Sequence, residues 1–145
     1  MRSFPQAGSD CRYGRLTAVI CVASKAPANG PALTGIGFDH ISIVSPYNAL
    51  RLATSLIEGD LVTVHLFFIG EGTWYAVKGQ TVPEGARDIE WMLRRFLAGG
   101  REAAVCGTCM DARGISEAQL IEDSYRSTLQ KLKSWTLECE RVLVF

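Results

Sequence analysis

Apolar runs and helix-like segments follow one another along the chain, and this pattern predicts the fold. Continuous apolar runs predict strands at 16–24 (LTAVICVAS), 61–70 (LVTVHLFFIG), 102–107 (EAAVCG) and 141–145 (RVLVF). The shorter run HISIVS at 40–45 is another strand candidate. The pattern alone therefore leaves open whether 16–24 or 40–45 supplies the first strand of the sheet.

Segments with helical spacing lie between the apolar runs. PYNALRLATSLIEG at 46–59 predicts a helix that Pro46 opens and Gly59 ends. DIEWMLRRFLAGG at 88–100 places its apolar residues at helix spacing before a Gly-Gly stop.

Two more helices are predicted near the carboxyl end. Ser116 and Gln119 have the spacing of a capping box that opens a helix. The inward face of the last helix is predicted to comprise Leu129, Leu132, Thr136 and Cys139.

Strands alternating with helices predict one α/β domain over 16–145, after a loose segment at 1–15. We expect a three-layer α/β/α domain with a mainly parallel, doubly wound, flavodoxin- or Rossmann-like sheet of about five strands. The Pro- and Gly-rich segment 25–37 is predicted to be a loop. Such sheets bind ligands outside the carboxyl ends of their strands, where Cys106 is expected.

Composition and charge argue against several classes of partner. The 145 residues suit one domain, and 15 Lys and Arg balance 15 Asp and Glu without a run of like charge. This balance predicts binding to neither nucleic acid nor a membrane surface. No stretch reaches the roughly 18 apolar residues of a membrane span.

Cysteine usage favours a reducing, cytoplasmic location. The five cysteines are scattered, unlike a disulfide framework. Cys21 and Cys139 fit small buried side chains, and Cys11 lies in the loose segment. Basic residues ahead of LTAVICVAS leave a secretory signal within residues 1–24 as an alternative to a first buried strand.

Cys106 and Cys109 form a Cys-x-x-Cys motif that is open to several interpretations. A zinc site normally needs a second such pair, so we expect no metal and no cofactor. A redox dithiol is more plausible, although no proline follows Pro83 to supply the cis-proline of a thioredoxin-like site. Two small buried side chains are the simplest alternative.

A single nucleophilic thiolate that carries sulfur is the remaining interpretation. The segment GTCMDAR predicts a short helical turn that ends at Gly114, and its first backbone N–H groups would stabilise a Cys106 anion. Gly107 allows close backbone approach, Arg113 adds positive charge, and Cys109 can resolve a persulfide.

Other polar and aromatic residues are weaker candidates. Thr108 belongs to the same turn, while Tyr47 and Asn48 are expected near the sheet rim, where they either face the sulfur or cap a helix. Asp111 fits a turn or cap better than an acid catalyst. Trp74 and Tyr75 fit a subunit interface or the core equally well.

The segments YNALRLA, VHLFFIGEG, YAVKGQTVPEG, CGTCMDARGI and WTLECERVLVF occur in this order between about Pro46 and Phe145. In this order they resemble the DsrE/DsrF-like family, which includes TusD sulfur-relay subunits and the YchN-like group. The resemblance implies a homo-oligomer, a trimer or hexamer, and sulfur handling through a cysteine persulfide. It assigns the active position to Cys106, because the family's cysteine precedes an Arg-Gly pair at the spacing of Arg113 and Gly114.

Three functions follow as hypotheses. The first is a sulfur carrier or sulfurtransferase-like protein that accepts sulfur on Cys106 from a donor protein and passes it to an acceptor protein. Whether this carrier is an enzyme is left open. The second is a non-catalytic oligomeric module that binds a ligand or partner, and the third is a Cys106/Cys109 thiol-disulfide switch.

Overall fold

Five parallel strands form one sheet in the order β4-β3-β2-β1-β5. The computed structural model describes residues 16–24, 40–58, 62–81, 88–139 and 141–145. The strands are β1 (Leu16–Ser24), β2 (Val62–Gly70), β3 (Glu102–Cys106), β4 (Ser124–Ser127) and β5 (Arg141–Val144). The helices are α1 (His40–Ile57), α2 (Ile89–Leu97), α3 (Gly107–Asp111) and α4 (Leu129–Glu138). Two short 3-10 helices span Glu71–Ala76 and Glu117–Gln119.

The two faces of the sheet bury different sets of side chains. Alternate residues of β2 and β3 point to opposite faces, as the pleat requires. One face packs against α1 and α2 and forms the larger core, which includes Leu50, Leu66, Phe68, Leu93, Phe96 and Val105. The other face packs against α4 and forms the α4-side cluster, whose buried members are Phe67, Ala104, Cys106 and Trp135.

The order of the strands accounts for these two layers. The chain moves from β1 through β2 and β3 to β4, one neighbouring strand at a time, and the helices α1 and α2 of these connections pack on the larger core. From β4 it returns across the sheet to β5 beside β1, and α4 in this return packs on the opposite face. The predicted three-layer α/β/α domain with a parallel sheet is therefore confirmed.

The run HISIVS at 40–45 is helical, so its prediction as a strand was wrong. It forms the beginning of α1, which contains Pro46 in its interior instead of beginning there. A short apolar run fits a buried helix as well as a buried strand, which is why periodicity did not separate the two. The first strand of the sheet is 16–24, and it pairs with both β2 and β5.

The segment after Cys106 differs from the prediction in three places. The capping box of Ser116 and Gln119 forms, but it opens a 3-10 helix of 3 residues instead of a longer helix. The strand β4 was not predicted, because SYRS is half-buried and lacks an apolar run. In α4 the buried residue is Trp135, whereas Leu129 and Thr136, which were expected to point inward, are exposed.

Several expectations fall on residues outside the described ranges. These are the loose segment at 1–15, Cys11, the loop at 25–37 and the helix end at Gly59. Of the possible signal segment, the backbone of 16–24 is described and forms β1. Among the helices of the described ranges, none has the length and apolar character that crossing a bilayer requires.

Candidate functional site

Cys106 is the last residue of β3 and the N-cap of α3, as the sequence predicted. Its backbone is extended (φ −61°, ψ 112°), and Gly107 begins the helical turn directly after it. Since Ala104 and Cys106 share one face of the strand, the thiol points toward the α4-side cluster. The residue is only 1% exposed. A reactant therefore reaches the sulfur only when the surrounding side chains move.

Cys106 ends β3, and the segments that follow β3 and its neighbour β4 pack on opposite faces of the sheet. The ends of β3 and β4 are adjacent, with Cys106 paired in register with Ser127. After β3 the chain packs Met110, Ile115 and Ile121 into the larger core, whereas after β4 it packs Trp135 against the opposite face. Such a divergence at the carboxyl ends of parallel strands is where open α/β sheets form their binding crevices.

Hydrogen bonds around Cys106 favour its thiolate. Burial by itself raises the pKa of this thiol, because a charged sulfur is poorly solvated there. Hydrogen bonds from the Thr108 hydroxyl, the Cys109 thiol and the backbone N–H groups of both residues outweigh burial, and the pKa is lowered from its ordinary value. The Thr108 Oγ1 lies 3.3 Å from the Cys106 Sγ. These donors supply the anion stabilisation that the sequence predicted for the start of the turn.

Cys109 lies within hydrogen-bonding reach of Cys106 but has the opposite protonation preference. Burial and the hydrogen bond with Cys106 raise the pKa of the Cys109 thiol, and the Gly70 N–H, 3.3 Å from its Sγ, only partly offsets this. Cys106, Cys109 and Cys139 are free thiols in the structure. The thiol pKa is therefore lowered at Cys106 and raised at Cys109.

Arg113 and Gly114 close the helical turn. One Arg113 guanidinium nitrogen donates to the Cys109 carbonyl at 3.0 Å, and another forms an ion pair with Glu71 at the end of β2. Gly114 adopts φ 66°, the left-handed conformation expected of a residue that ends a helical turn. Arg113 thus ties α3 to the 3-10 helix that follows β2, and its described hydrogen bonds go to Cys109 and Glu71 instead of the Cys106 sulfur.

Arg126, near the end of β4, is a part of this rim that the sequence did not reveal. Its terminal nitrogens bind both carboxylate oxygens of Asp111, at 2.8 and 2.6 Å. Its side chain crosses Gly107, where an added Cβ would lie 2.9 Å from the Arg126 Nε and 3.1 Å from the Ser127 carbonyl oxygen. The absence of a side chain at Gly107 therefore leaves room for a guanidinium, whereas the expected close approach of backbone to the sulfur stays a prediction. Only recognition of SYRS as a strand beside β3 would have placed Arg126 here.

Tyr47 and Asn48 lie in the interior of α1. Both are half-buried within α1 instead of at its beginning, and Tyr47 packs against the larger core. Cys106 belongs to the α4-side cluster. The expectation that these two residues open the first helix is therefore wrong, because α1 begins at His40, and their placement facing the sulfur stays a prediction.

Three other aromatic side chains pack against hydrophobic neighbours. Trp74 and Tyr75 are half-buried in the 3-10 helix after β2 and pack against the larger core. His65, a histidine within β2, stacks on Trp135 with ring centroids 4.6 Å apart, and burial lowers its pKa, so its surroundings are those of a packed side chain. Within the ranges described above, no three His, Cys, Asp or Glu residues are grouped so as to hold a metal ion.

Comparisons with known proteins agree on one family. The model of the DsrE/DsrF-like family matches residues 18–145. The protein YchN of Escherichia coli is 32% identical over 128 residues, which cover 88% of this chain and 97% of YchN. An uncharacterised protein of Methanopyrus kandleri is 37% identical over 100 residues, covering 68% of this chain and 80% of that protein. The crystal structure of E. coli YchN superposes with a TM-score of 0.72 at 28% identity, covering 91% of this chain and all of that chain.

Proposed function

Because this chain belongs to the DsrE/DsrF-like family, we propose that it is a sulfur carrier that accepts sulfur as a persulfide on Cys106 and passes it to a partner. The observation that carries the proposal is the lowered pKa of a thiol at the carboxyl end of β3. The thiolate is the form of cysteine that attacks sulfur, so this position has the reactivity that the function needs.

The proposed reaction is a transfer between two thiols. The Cys106 thiolate attacks the outer sulfur of a donor persulfide, R–S–SH. A new S–S bond forms on Cys106, the old S–S bond breaks, and the donor leaves as the thiolate R–S⁻ with the bonding electron pair. Transfer to an acceptor thiolate repeats the same exchange with Cys106 as the leaving group, so neither step needs an external oxidant or reductant.

The hydrogen-bond donors around Cys106 serve both halves of this exchange. The Thr108 hydroxyl and the N–H groups of Thr108 and Cys109 stabilise negative charge on the Cys106 sulfur, as attacking group and as leaving group. Donor and acceptor are proteins or small thiols whose persulfide sulfur can enter the rim between β3 and β4. The carrier works as a homo-oligomer, and its partners contact it at this rim.

Intact mass spectrometry tests the proposal. Purified protein is incubated with glutathione persulfide, and we expect a gain of one sulfur atom. Cys106→Ser should abolish this gain and Cys109→Ser should retain it, because the donors converge on Cys106. Cys139→Ser is the matched control, since Cys139 is a free, half-buried thiol in the same cluster. Uptake by Cys106→Ser, or by no protein, contradicts a Cys106 carrier.

A thiol-disulfide switch is the second candidate, and the contact between Cys106 and Cys109 favours it. The same measurement separates the two functions, because a switch loses two hydrogens on oxidation and gains no sulfur. Either single cysteine substitution should abolish that loss, since both thiols are needed for the bond. A chain that neither gains sulfur nor loses hydrogens would fit a non-catalytic binding module.

A further inference from the structure

The ion pair between Arg126 and Asp111 lies against the turn that follows Cys106, and nothing in the proposed sulfur transfer uses it so far. In the β3–β4 register, Val105 pairs with Arg126 and Cys106 pairs with Ser127. Arg126 is therefore the last residue but one of β4 and lies near the carboxyl ends of both strands. From there the guanidinium passes over Gly107, the residue that follows Cys106, and ends on Asp111. The cation therefore spans α3 from its first residue to its last.

The charges on the two arginines at this rim are compensated differently. Arg113 pairs with Glu71 and also donates to the Cys109 carbonyl, and both members of that pair are partly buried. Arg126 pairs with Asp111, whose side chain is 63% exposed. A solvated carboxylate neutralises a neighbouring cation less completely than a buried one, because water screens it. Asp111 therefore leaves part of the Arg126 charge uncompensated, and Cys106 is among the groups with which this charge interacts.

We propose that Arg126 is a positioning residue that stabilises negative charge on the sulfur at Cys106, and that Asp111 limits this effect by competing for the guanidinium. The inference rests on the proposed function for its purpose, since a carrier must hold an anionic sulfur before attack and after release. It adds Arg126 to the charge that the sequence assigned to Arg113, because the pKa of each guanidinium is raised in part by Cys106. The raised pKa of Arg126, due first to Asp111 and in smaller part to Cys106, agrees with this proximity.

The titration of Cys106 depends on all groups packed around it. Cys109 and the backbone N–H groups of α3 act on it directly. The titratable side chains on or next to the elements around it are His65, Glu102, Asp111, Arg113, Tyr125, Arg126, Lys131, Lys133, Glu138 and Cys139. Glu71 faces Arg113, and Glu117 acts on Arg126. Of all these groups, Tyr125 stays neutral, because burial and Glu102 raise its pKa to about 12. The Asp111–Arg126 pair can therefore be varied while the remaining charges are held constant.

Opposite substitutions of the pair provide the test. The alkylation rate of Cys106 is followed by peptide mass spectrometry, across a pH series that brackets the ordinary thiol pKa of about 8.5. Arg126→Gln should move the midpoint to higher pH, since a stabilising cation is lost. Asp111→Asn should move it to lower pH, since the competing anion is lost. At neutral pH we expect Arg126→Gln to be alkylated about two- to fivefold more slowly than wild type, and Asp111→Asn about two- to fivefold faster. Changes of this size are typical of a partly exposed charge.

Two further variants keep the test specific. Arg126→Lys retains the charge and should stay near the wild-type midpoint. Arg94→Gln makes the same change in net charge at a pair with Glu90 and Glu122 and should shift nothing. A structural disturbance would move the alkylation midpoints of Arg126→Gln and Asp111→Asn in the same direction. Midpoint shifts of equal sign therefore overturn the proposal. No shift in either variant, or a Cys106 that is not alkylated at any pH, overturns it as well.

The measurement separates this inference from the proposed function. Alkylation reports the thiolate alone, whereas glutathione persulfide loading reports sulfur uptake. Opposite midpoint shifts without sulfur uptake would support the role of Arg126 and contradict the sulfur carrier. Sulfur uptake without midpoint shifts would support the carrier and contradict the role of Arg126. If Arg126→Gln fails to fold, Asp111→Asn decides alone, because it removes only an exposed carboxylate.

Discussion

At the scale of single residues, the position of Cys106 could be predicted and its electrostatic surroundings could not. The apolar run of β3 ends at the cysteine, and a strand end in a parallel sheet is a rim position whatever the details of the fold. Arg126 is distant in sequence and comes to the same rim only through the pairing of β3 with β4. Side-chain partners that depend on an unpredicted strand are not visible in the sequence.

Gly114 provides a prediction at this scale. Its φ of 66° is left-handed, so Gly114→Ala should lower the free energy of unfolding by about 1 kcal/mol, although a Cβ there meets no atom within contact distance. The cost comes from backbone strain alone. Urea denaturation measures it, and Gly114→Asn is the matched control, since asparagine tolerates this conformation better. Equal losses for alanine and asparagine would contradict the strain argument.

At the scale of elements, strong apolar runs were recognised and weak ones were not. β2 and α2 match their sequence patterns because most of their burial comes from one continuous or periodic set of side chains. β4 has four half-buried residues at the edge of the sheet, where pairing with β3 and not hydrophobicity defines the strand. The beginning of α1 was misassigned for the related reason that a run of six residues is too short to show a period.

Helix α4 is held to the sheet mainly by Trp135, which gives a prediction for this element. Trp135 stacks on His65 and meets the edge of Phe67, with ring centroids 6.2 Å apart in the second case. It is the buried residue of α4. We expect Trp135→Ala to cost about 3 kcal/mol or more, since a large buried side chain is lost. Amide exchange should accelerate in α4 more than in α2, because the helix loses its main contact with the sheet.

The control for this prediction is Lys133→Ala on the exposed side of the same helix, which should leave stability and exchange unchanged. Since Cys106 belongs to the cluster that Trp135 covers, its alkylation should also become faster in Trp135→Ala. A variant that unfolds as cooperatively as wild type, with no local change in α4, would show that α4 is anchored by something other than Trp135.

At the scale of the whole molecule, the alternation of strands and helices predicted the fold class, whereas the order of the strands became known only from the structure. The return from β4 to β5 across the sheet places α4 on the face opposite α1 and α2 and makes the end of β3 a point of divergence. No residue pattern encodes that return, because it depends on which neighbours each strand pairs with. The site therefore combines a predictable cysteine with an arrangement that topology determines.

The last prediction concerns assembly. Large apolar side chains are exposed on three elements of the described ranges. They are Trp91 on α2 at 57%, Leu129 and Leu137 on α4 at 55% and 76%, and Val142 and Val144 on β5 at 40% and 69%. Together with the family to which the chain belongs, this exposure leads us to expect a trimer or hexamer, since a second layer of protein would cover these side chains. Light scattering should give three or six times the chain mass of 15.8 kDa.

A charge on the exposed apolar face of α4 should weaken that assembly. Leu137→Glu is expected to lower the mass, because a buried carboxylate without a partner opposes association. Lys133→Glu places the same carboxylate at a position that is already polar and exposed, and should leave the mass unchanged. Wild-type protein that stays at 15.8 kDa at micromolar concentration would refute the oligomer. If Leu137→Glu leaves the mass unchanged, the interface lies on another face of the molecule. Trp91→Glu is then the variant that tests α2.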